Sequence, residues 1–334
     1  MPSDLTISDL KKRSRWDVVG LIQRLRNCID DQSIDIVLSV LEYSNLLAVA
    51  ASMASRRHPP VVISEHNDLS KHLPSVRFGS LKLCLMRLAY PRADACVAVS
   101  HGVSRSLVAT TRLPSTNIHV IPNPIDVSKI RLLTAAHTPE MPDWTQGPFV
   151  IAVGRLVPQK NYPLLLHAFA RIASHCSVSL AILGDGPLRS TLWDLASDLG
   201  IQARVHFLGY KENPFVWMHM AAALTLTSDW EGFGNVLVEA MACGTAILST
   251  DCPSGPAEII RNGENGLLVP CGDEAAVSSA LLQLLTNHDL HRKLTRQADI
   301  DVRAYDAETI TRRYERLLMD TVHPSPQACH SETA

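Results

Sequence analysis

The sequence predicts an α/β protein of two Rossmann-like, doubly wound parallel-sheet domains. Three observations point there. Short β-branched apolar runs alternate with stretches of helical period, the pattern of βαβ units. The alternation breaks once, between Pro122 and Pro148, and then restarts. At about 150 residues per domain, 334 residues hold two domains, and 46% hydrophobic residues suffice for two cores.

Residues 1–125 form the first predicted domain. It opens on a helix-like stretch, Trp16–Ile29, followed by strand-length runs at 34–40, 61–65, 95–100 and 118–122. Helical periods lie at 45–56 and 76–90. Only four strands are legible, and no Gly-rich strand-to-helix turn precedes Trp16. This domain is therefore expected to lack its opening βα units and to expose a sheet edge. Residues 126–148 read as a linker, because the five prolines between 122 and 148 interrupt any apolar period.

The second predicted domain, 149–303, is clearer. Strands are expected at 149–153, 178–183, 204–208, 223–227, 246–250 and 266–270, with helices at 162–174, 187–199, 213–220, 234–243 and 255–261. The runs between 178 and 250 are nearly all apolar, as strands covered on both faces require. Residues 304–322 are expected to form a C-terminal helix that packs back on the first domain, and 323–334 a disordered tail.

Composition narrows the function classes. Thirty-one Lys and Arg against 33 Asp and Glu give a net charge of −2, which argues against a nucleic-acid binder. The longest nearly unbroken apolar run, Leu46–Ala54, is far short of the roughly 20 residues of a spanning helix. The N-terminal residues show no apolar signal region. Eight scattered cysteines without a C-x-x-C pair read as reduced thiols rather than disulfides or a zinc site. A cytoplasmic protein is expected. The cationic cluster Lys11, Lys12, Arg13 and Arg15 suits either a solvated face or peripheral contact with an anionic inner membrane surface.

The strongest chemical signal runs from Ser228 to Gly244, after a predicted strand. Gly232 and Gly234 make a turn, a helix starts near Asn235, and Gly244 stops it. Backbone N–H groups at such a start, with the helix dipole behind them, bind anions such as phosphate. Glu231 precedes the helix and Glu239 lies in its second turn. Both could accept hydrogen bonds from sugar hydroxyls. A bland alternative is an ordinary capped helix with acidic residues near its start.

The second signal is Gly154-Arg155 through Lys160-Asn161, directly after the strand at 149–153. Ligands of open α/β sheets bind beyond the carboxyl ends of strands, so Arg155 and Lys160 lie where two cations could neutralise a diphosphate. The bland alternative is a pair of solvated loop cations. In the first half, His66 stands at a strand end, and His101 at the next one competes with it. Asp299 and Asp301 match the D-x-D of metal-dependent transferases but fall in a helical region, where such positions diverge. No metal site is therefore expected.

Taken together, GRLVPQKNYPLLLHAF, LGDGPL, EGFGNVLVEAMACGTAILSTDCPSGPAEII and NGENGLLVP resemble the nucleotide-sugar half of a family 4 glycosyltransferase with the GT-B architecture, in which two domains face a cleft. The resemblance is dense over 149–290 and thinner before it. It implies that Arg155 and Lys160 bind the donor diphosphate and stabilise the departing nucleotide. It implies that Glu231 stands beside the transferred sugar and Glu239 holds the ribose hydroxyls. Gly154 belongs to the diphosphate loop. Gly232, Phe233, Gly234, Asn235 and Val236 form the turn and helix start facing sugar and phosphates, and Gly209 and Tyr210 lie where the base rests. His66 would reach the donor sugar.

The implied activity is metal-independent transfer, with retention, of a hexose or N-acetylhexosamine. The donor would be a nucleotide sugar, by family habit a UDP-sugar, and the acceptor a glycan or lipid-linked molecule. No cofactor is implied beyond this substrate. Two alternatives stay open: a nucleotide-sugar-binding protein with little or no activity, and a GT-B epimerase or hydrolase. Oligomeric state is not legible.

Overall fold

The computed structural model describes residues 6–14, 17–135 and 142–323. They pack as two units. The first holds the chain up to Val99, Val103–Ile121 and the chain from Arg313 onward; the second holds Ser100–Gly102 and Pro122–Arg312.

The first unit contains α1 (Val18–Asp31), β1 (Val37–Val40), α2 (Glu42–Ala54), β2 (Val61–Glu65), α3 (Leu69–Ser75), α4 (Gly79–Ala89), β3 (Ala95–Ala98), most of α5 (His101–Thr111) and β4 (Ile118–Val120). Its sheet is parallel throughout and ordered β1-β2-β3-β4. β2 and β3 are buried at every position, because helices cover both faces of a central parallel strand. β1 lies at an edge of the described sheet, and Leu38 and Val40 on it are exposed. The basic residues Lys11–Arg13 lie outside any helix, and Arg15 and Trp16 fall outside the described residues.

The second unit runs through α6 (Val127–Thr134), β5 (Phe149–Val153), α7 (Tyr162–Ala173), β6 (Ser179–Leu183), α8 (Arg189–Asp198), β7 (Val205–Gly209) and α9 (Phe215–Met220). It continues with β8 (Ala223–Leu226), α10 (Asn235–Ala242), β9 (Ala246–Thr250), α11 (Pro256–Ile259), β10 (Leu267–Val269), α12 (Glu274–Thr286), α13 (His288–Asp301) and the start of α14 (Ala307–Val322). All pairings are parallel, and the strand order is β10-β9-β8-β5-β6-β7.

Helix α7 shows how the sequence builds this unit. Tyr162, Leu165, Leu166, Phe169, Ile172 and Ala173 recur at helical spacing and are all buried. Burying each large side chain contributes roughly 1.5–3 kcal/mol. Asn161 caps the helix by accepting from the Leu164 N–H at 3.3 Å, and Pro163 occupies its first turn.

Two expectations need correction. Residues 126–148 are not a bare linker, since α6 and a short 3₁₀ turn, Asp143–Gln146, belong to the second unit. Val127 and Ile130 are buried, and Trp144 stacks on His206 with ring centroids 3.9 Å apart. The prolines break periodicity but leave enough apolar side chains to anchor the stretch. The helical period at 76–90 is also preceded by α3, hidden in the sequence because it carries Pro74. From Arg313 onward α14 is part of the first unit; Arg313 donates to the Val120 carbonyl at 2.6 Å. Among the described residues all seven cysteines are free, and the tail residues 324–334 and Cys329 lie outside the description.

Candidate functional site

The strand order of the second unit reverses between β5 and β8. Chain connections leave β5 toward β6 on one side, and the later strands add on the other. At such a switch point the two following loops diverge and open a crevice beyond the strand ends. The loop after β5 carries Gly154, Arg155 and Lys160, and the loop after β8 carries Ser228, Glu231 and the glycine turn into α10.

These two loops are stitched together. The Lys160 ammonium donates to Glu231 Oε1 at 2.6 Å, and Ser228 Oγ donates to the same oxygen at 2.6 Å. Thr227 Oγ1 donates toward the Lys160 and Asn161 carbonyls, both at 3.1 Å. Asn161 Nδ2 donates to Asp229 Oδ1 at 2.8 Å, and Gln159 Nε2 to the Trp230 carbonyl at 2.8 Å. The Lys160 and Glu231 side chains are largely buried, with relative exposures of 18% and 9%. A buried pair with an extra hydroxyl donor holds a cation in one place. Arg155 is exposed and makes no ion pair among the described residues.

Gly234 caps α10 at φ +98°, a left-handed conformation suited to glycine, and so aims the helix start. The first N–H groups of α10 lack intrahelical acceptors. Asn235 is exposed at that start, and its Oδ1 accepts from Asn123 Nδ2 at 2.8 Å. Phe233 and Val236 are buried; Phe233 meets the Tyr305 ring at 5.6 Å between centroids. Glu239, in the second turn, has its carboxyl pushed above the ordinary range by burial, with the Lys160 charge opposing.

Two further strand ends complete this rim. Gly184 N–H donates to the Gly209 carbonyl at 2.9 Å, and Leu156 N–H to the Asp185 carbonyl at 3.0 Å. A side chain at Gly184 would strike the Gly154 carbonyl oxygen at 2.0 Å, so the loops after β5 and β6 touch through backbone alone. Tyr210, after Gly209, is 80% exposed.

His66 belongs to the first unit, at the tip of β2. Its Nε2 lies 3.0 Å from Ser64 Oγ, and burial lowers its pKa. His101 packs with the second unit: its backbone N–H and that of Gly102 donate to the Glu258 carboxylate at 2.7 and 2.8 Å. Ser100 Oγ donates to the Gly232 carbonyl at 2.7 Å, bracing the glycine turn. Ser228, Asn161, Ser100 and Glu258 were not singled out from sequence. Ser228 and Asn161 lie within the two motifs, so proximity to charged motif residues was the available signal. Ser100 and Glu258 carried none. Asp299 pairs with Arg131, whereas Asp301 accepts from Arg261, Asn265 and Gln297, so these carboxylates serve separate networks.

Two parallel-sheet α/β units, one with a cationic site at its switch point, define a protein of the GT-B class. The family described as glycosyl transferases group 1 matches residues 140–300, and glycosyltransferase family 4 matches residues 7–129. The chain is 31% identical over 280 residues to an N-acetylgalactosamine-N,N'-diacetylbacillosaminyl-diphospho-undecaprenol 4-alpha-N-acetylgalactosaminyltransferase of Campylobacter jejuni, covering 84% of this chain and 74% of the relative. It is 28% identical over 310 residues to the lipopolysaccharide core biosynthesis glycosyltransferase LpsE of Rhizobium meliloti, covering 91% and 86%. The crystal structure of Anabaena Alr3699/HepE in complex with UDP superposes with a TM-score of 0.77 at 22% identity, over 90% of this chain and 82% of that one. The chain belongs to glycosyltransferase family 4 and is a glycosyltransferase. Its relatives carry transferase names, which do not favour an inert binding protein, an epimerase or a hydrolase.

Proposed function

We propose that this glycosyltransferase moves a hexose or N-acetylhexosamine from a UDP-sugar to a lipid-linked or other glycan acceptor, with retention and without a metal ion. The observation carrying the reading is the Lys160–Glu231 pair beside the start of α10, at the sheet's switch point. The named acceptors of the Campylobacter relative and the UDP bound by HepE support the choice of acceptor and base.

In the proposed step the anomeric C–O bond to the diphosphate breaks and a bond from the acceptor oxygen forms on the same face. Negative charge builds on the departing phosphate oxygen as the bond breaks, and the acceptor proton then passes to that oxygen. Lys160, Arg155 and the N–H groups at the α10 start supply fixed positive charge there, so no metal is required of the step. Lys160 keeps its place through Glu231 and Ser228 before the donor arrives, so little reorganisation is needed. Glu231 faces the sugar, and Glu239 accepts from the ribose hydroxyls. Gly154, Gly232, Phe233, Gly234, Asn235 and Val236 offer backbone to the phosphates, and Gly209 and Tyr210 a rest for the base. His66 takes the donor-sugar contact on the resemblance alone; its lowered pKa keeps a neutral ring, fit to bond a hydroxyl.

A donor screen that measures UDP or GDP release with and without lipid-linked acceptors tests this. Acceptor-dependent UDP release is expected, with an α-linked product from an α-linked donor. Release without acceptor at the same rate, or an inverted product, would sink the reading.

A further inference from the structure

Strand β2 ends at Glu65, and His66 follows it directly. Side chains alternate along a strand, so Ser64 and Glu65 leave β2 on opposite faces. On one face Glu65 Oε1 accepts from the backbone N–H groups of His66 and Asn67 at 3.1 and 3.4 Å. Its Oε2 accepts from Tyr90 Oη at 2.9 Å. This clamp holds the main chain at His66 but leaves the imidazole ring to its own side-chain torsions.

The ring is held from the other face. Ser64 is fully buried on a strand whose preceding residues, Val61, Val62 and Ile63, are all apolar. A hydroxyl in such a place is costly unless it is bonded. Ser64 Oγ lies 3.0 Å from His66 Nε2 and 3.4 Å from Tyr314 Oη. Tyr314 is half-buried on α14, 250 positions along the chain, in the part of that helix belonging to the first unit. Its neighbours fasten that part: Arg313 donates to the Val120 carbonyl at 2.6 Å, and Leu317, one turn on, is buried.

Counting protons gives this chain a direction. Burial raises the Tyr314 pKa, so the phenol keeps its proton, and burial lowers that of His66, so the ring is neutral with a single N–H. A phenol is more acidic than an alcohol and is the better donor, so Tyr314 Oη donates to Ser64 Oγ. Ser64 has one proton, and it goes to His66 Nε2, which must then accept. The ring proton is left on Nδ1, which has no partner among the described residues. We infer that Tyr314, acting through Ser64, is a positioning residue that fixes His66 as the Nδ1–H tautomer and presents that N–H to a hydroxyl oxygen of the donor sugar. The tautomer follows from the first unit alone, whereas the sugar contact rests on the function proposed above.

Nitrogen-15 NMR of the full chain labelled at histidine tests it, at about pH 8 where the ring is neutral. The His66 signals are assigned by their loss in His66→Ala. The wild type is expected to carry its proton on Nδ1 and to leave Nε2 bare. Ser64→Ala should move the proton toward Nε2, and Tyr314→Phe should mix the two forms. In transfer assays the donor kcat/KM should fall about three- to tenfold in Tyr314→Phe and about tenfold or more in Ser64→Ala, with the acceptor KM unchanged. Circular dichroism checks that both variants keep their fold. A wild-type ring protonated on Nε2, a tautomer that neither variant shifts, or undiminished kcat/KM in Tyr314→Phe would overturn the inference. Full transfer activity in His66→Ala, with the tautomer as expected, would instead strike the sugar contact proposed for His66, and the role of Tyr314 would fall with it.

Discussion

The two sheets differ in strand order, and the difference decides where charge can be put to use. In the β5–β10 unit the order reverses between β5 and β8, and the loops beyond these strands hold Lys160 against Glu231 and leave Arg155 exposed. In the first unit the four described strands follow chain order, and a carboxyl with a strongly raised pKa is sealed in. Glu65, at the end of β2, is fully buried; its Oε2 accepts from Tyr90 Oη at 2.9 Å and its Oε1 from the His66 N–H at 3.1 Å. Burial pushes its pKa up to about 7. Nearby Asn45 donates to the Ser64 carbonyl at 3.0 Å, yet its buried Oδ1 has no partner among the described residues. The lesson is that packing, more than residue content, separates a carboxylate paired with a lysine from one held among neutral partners.

The largest effect expected from this contrast is catalytic. Lys160→Ala removes the cation held at the switch point and should lower the transfer rate about 10²–10³-fold while leaving the first unit's stability unchanged. Steady-state transfer assays check the first part and hydrogen exchange the second. Undiminished transfer would break the contrast at its centre.

Next comes the sealed carboxyl. A raised folded pKa means that between the ordinary glutamate value of 4.5 and about 7 the folded chain holds a proton that the unfolded chain has lost. Stability of the first unit therefore falls as pH rises through that window. Glu65→Gln removes this loss and should stabilise the unit at pH 8 by about 3 kcal/mol, at the upper end, with little change near pH 4. Exchange rates of β2 amides would report it; equal protection in both variants at both pH values would remove the contrast. Glu42 supplies the opposite sign. His72 and Lys82 hold its pKa at about 2, so its contribution is fully present above 4.5 and is lost as pH falls from there through about 2.

A smaller effect concerns Glu239. With its pKa raised by burial, the carboxyl protonates at a higher pH than an ordinary glutamate. UDP affinity should begin to fall on acidification correspondingly early. Glu239→Gln should weaken UDP about tenfold at neutral pH and flatten that dependence. Calorimetric titration across pH decides it. Smallest is Asn161→Ala, which removes the α7 cap and the bond to Asp229 and should lower stability by about 1 kcal/mol, read from thermal unfolding.

Much of the second unit was legible because its strands are short and apolar, and most are followed closely by glycine or proline, as at Gly154, Gly184 and Pro270. Phe149–Val153 and Ala246–Thr250 fall where the apolar runs placed them. The site motifs were legible for the same reason, since a strand end followed by a glycine turn marks a loop that must carry polar side chains. Less could be read where local signals conflict. Pro74 inside α3 mimics a breaker, and the prolines around α6 hid the apolar pair Val127 and Ile130. Ser100 and Glu258 act on groups far along the chain, at Gly232 and at His101, and no spacing encodes that.

By itself the sequence determined the alternation of strand and helix, the break after residue 122, and the residue types at each strand end. These follow from local periodicity and turn chemistry, which neighbouring residues impose. Only the tertiary structure decided that β8 pairs with β5, that Lys160 meets a glutamate 71 positions away, and that Glu65 is sealed among neutral partners while Glu231 is buried against a lysine. A carboxylate's charge depends on the water and partners around it, and those are fixed by strand order and packing rather than by the residues beside it in the chain.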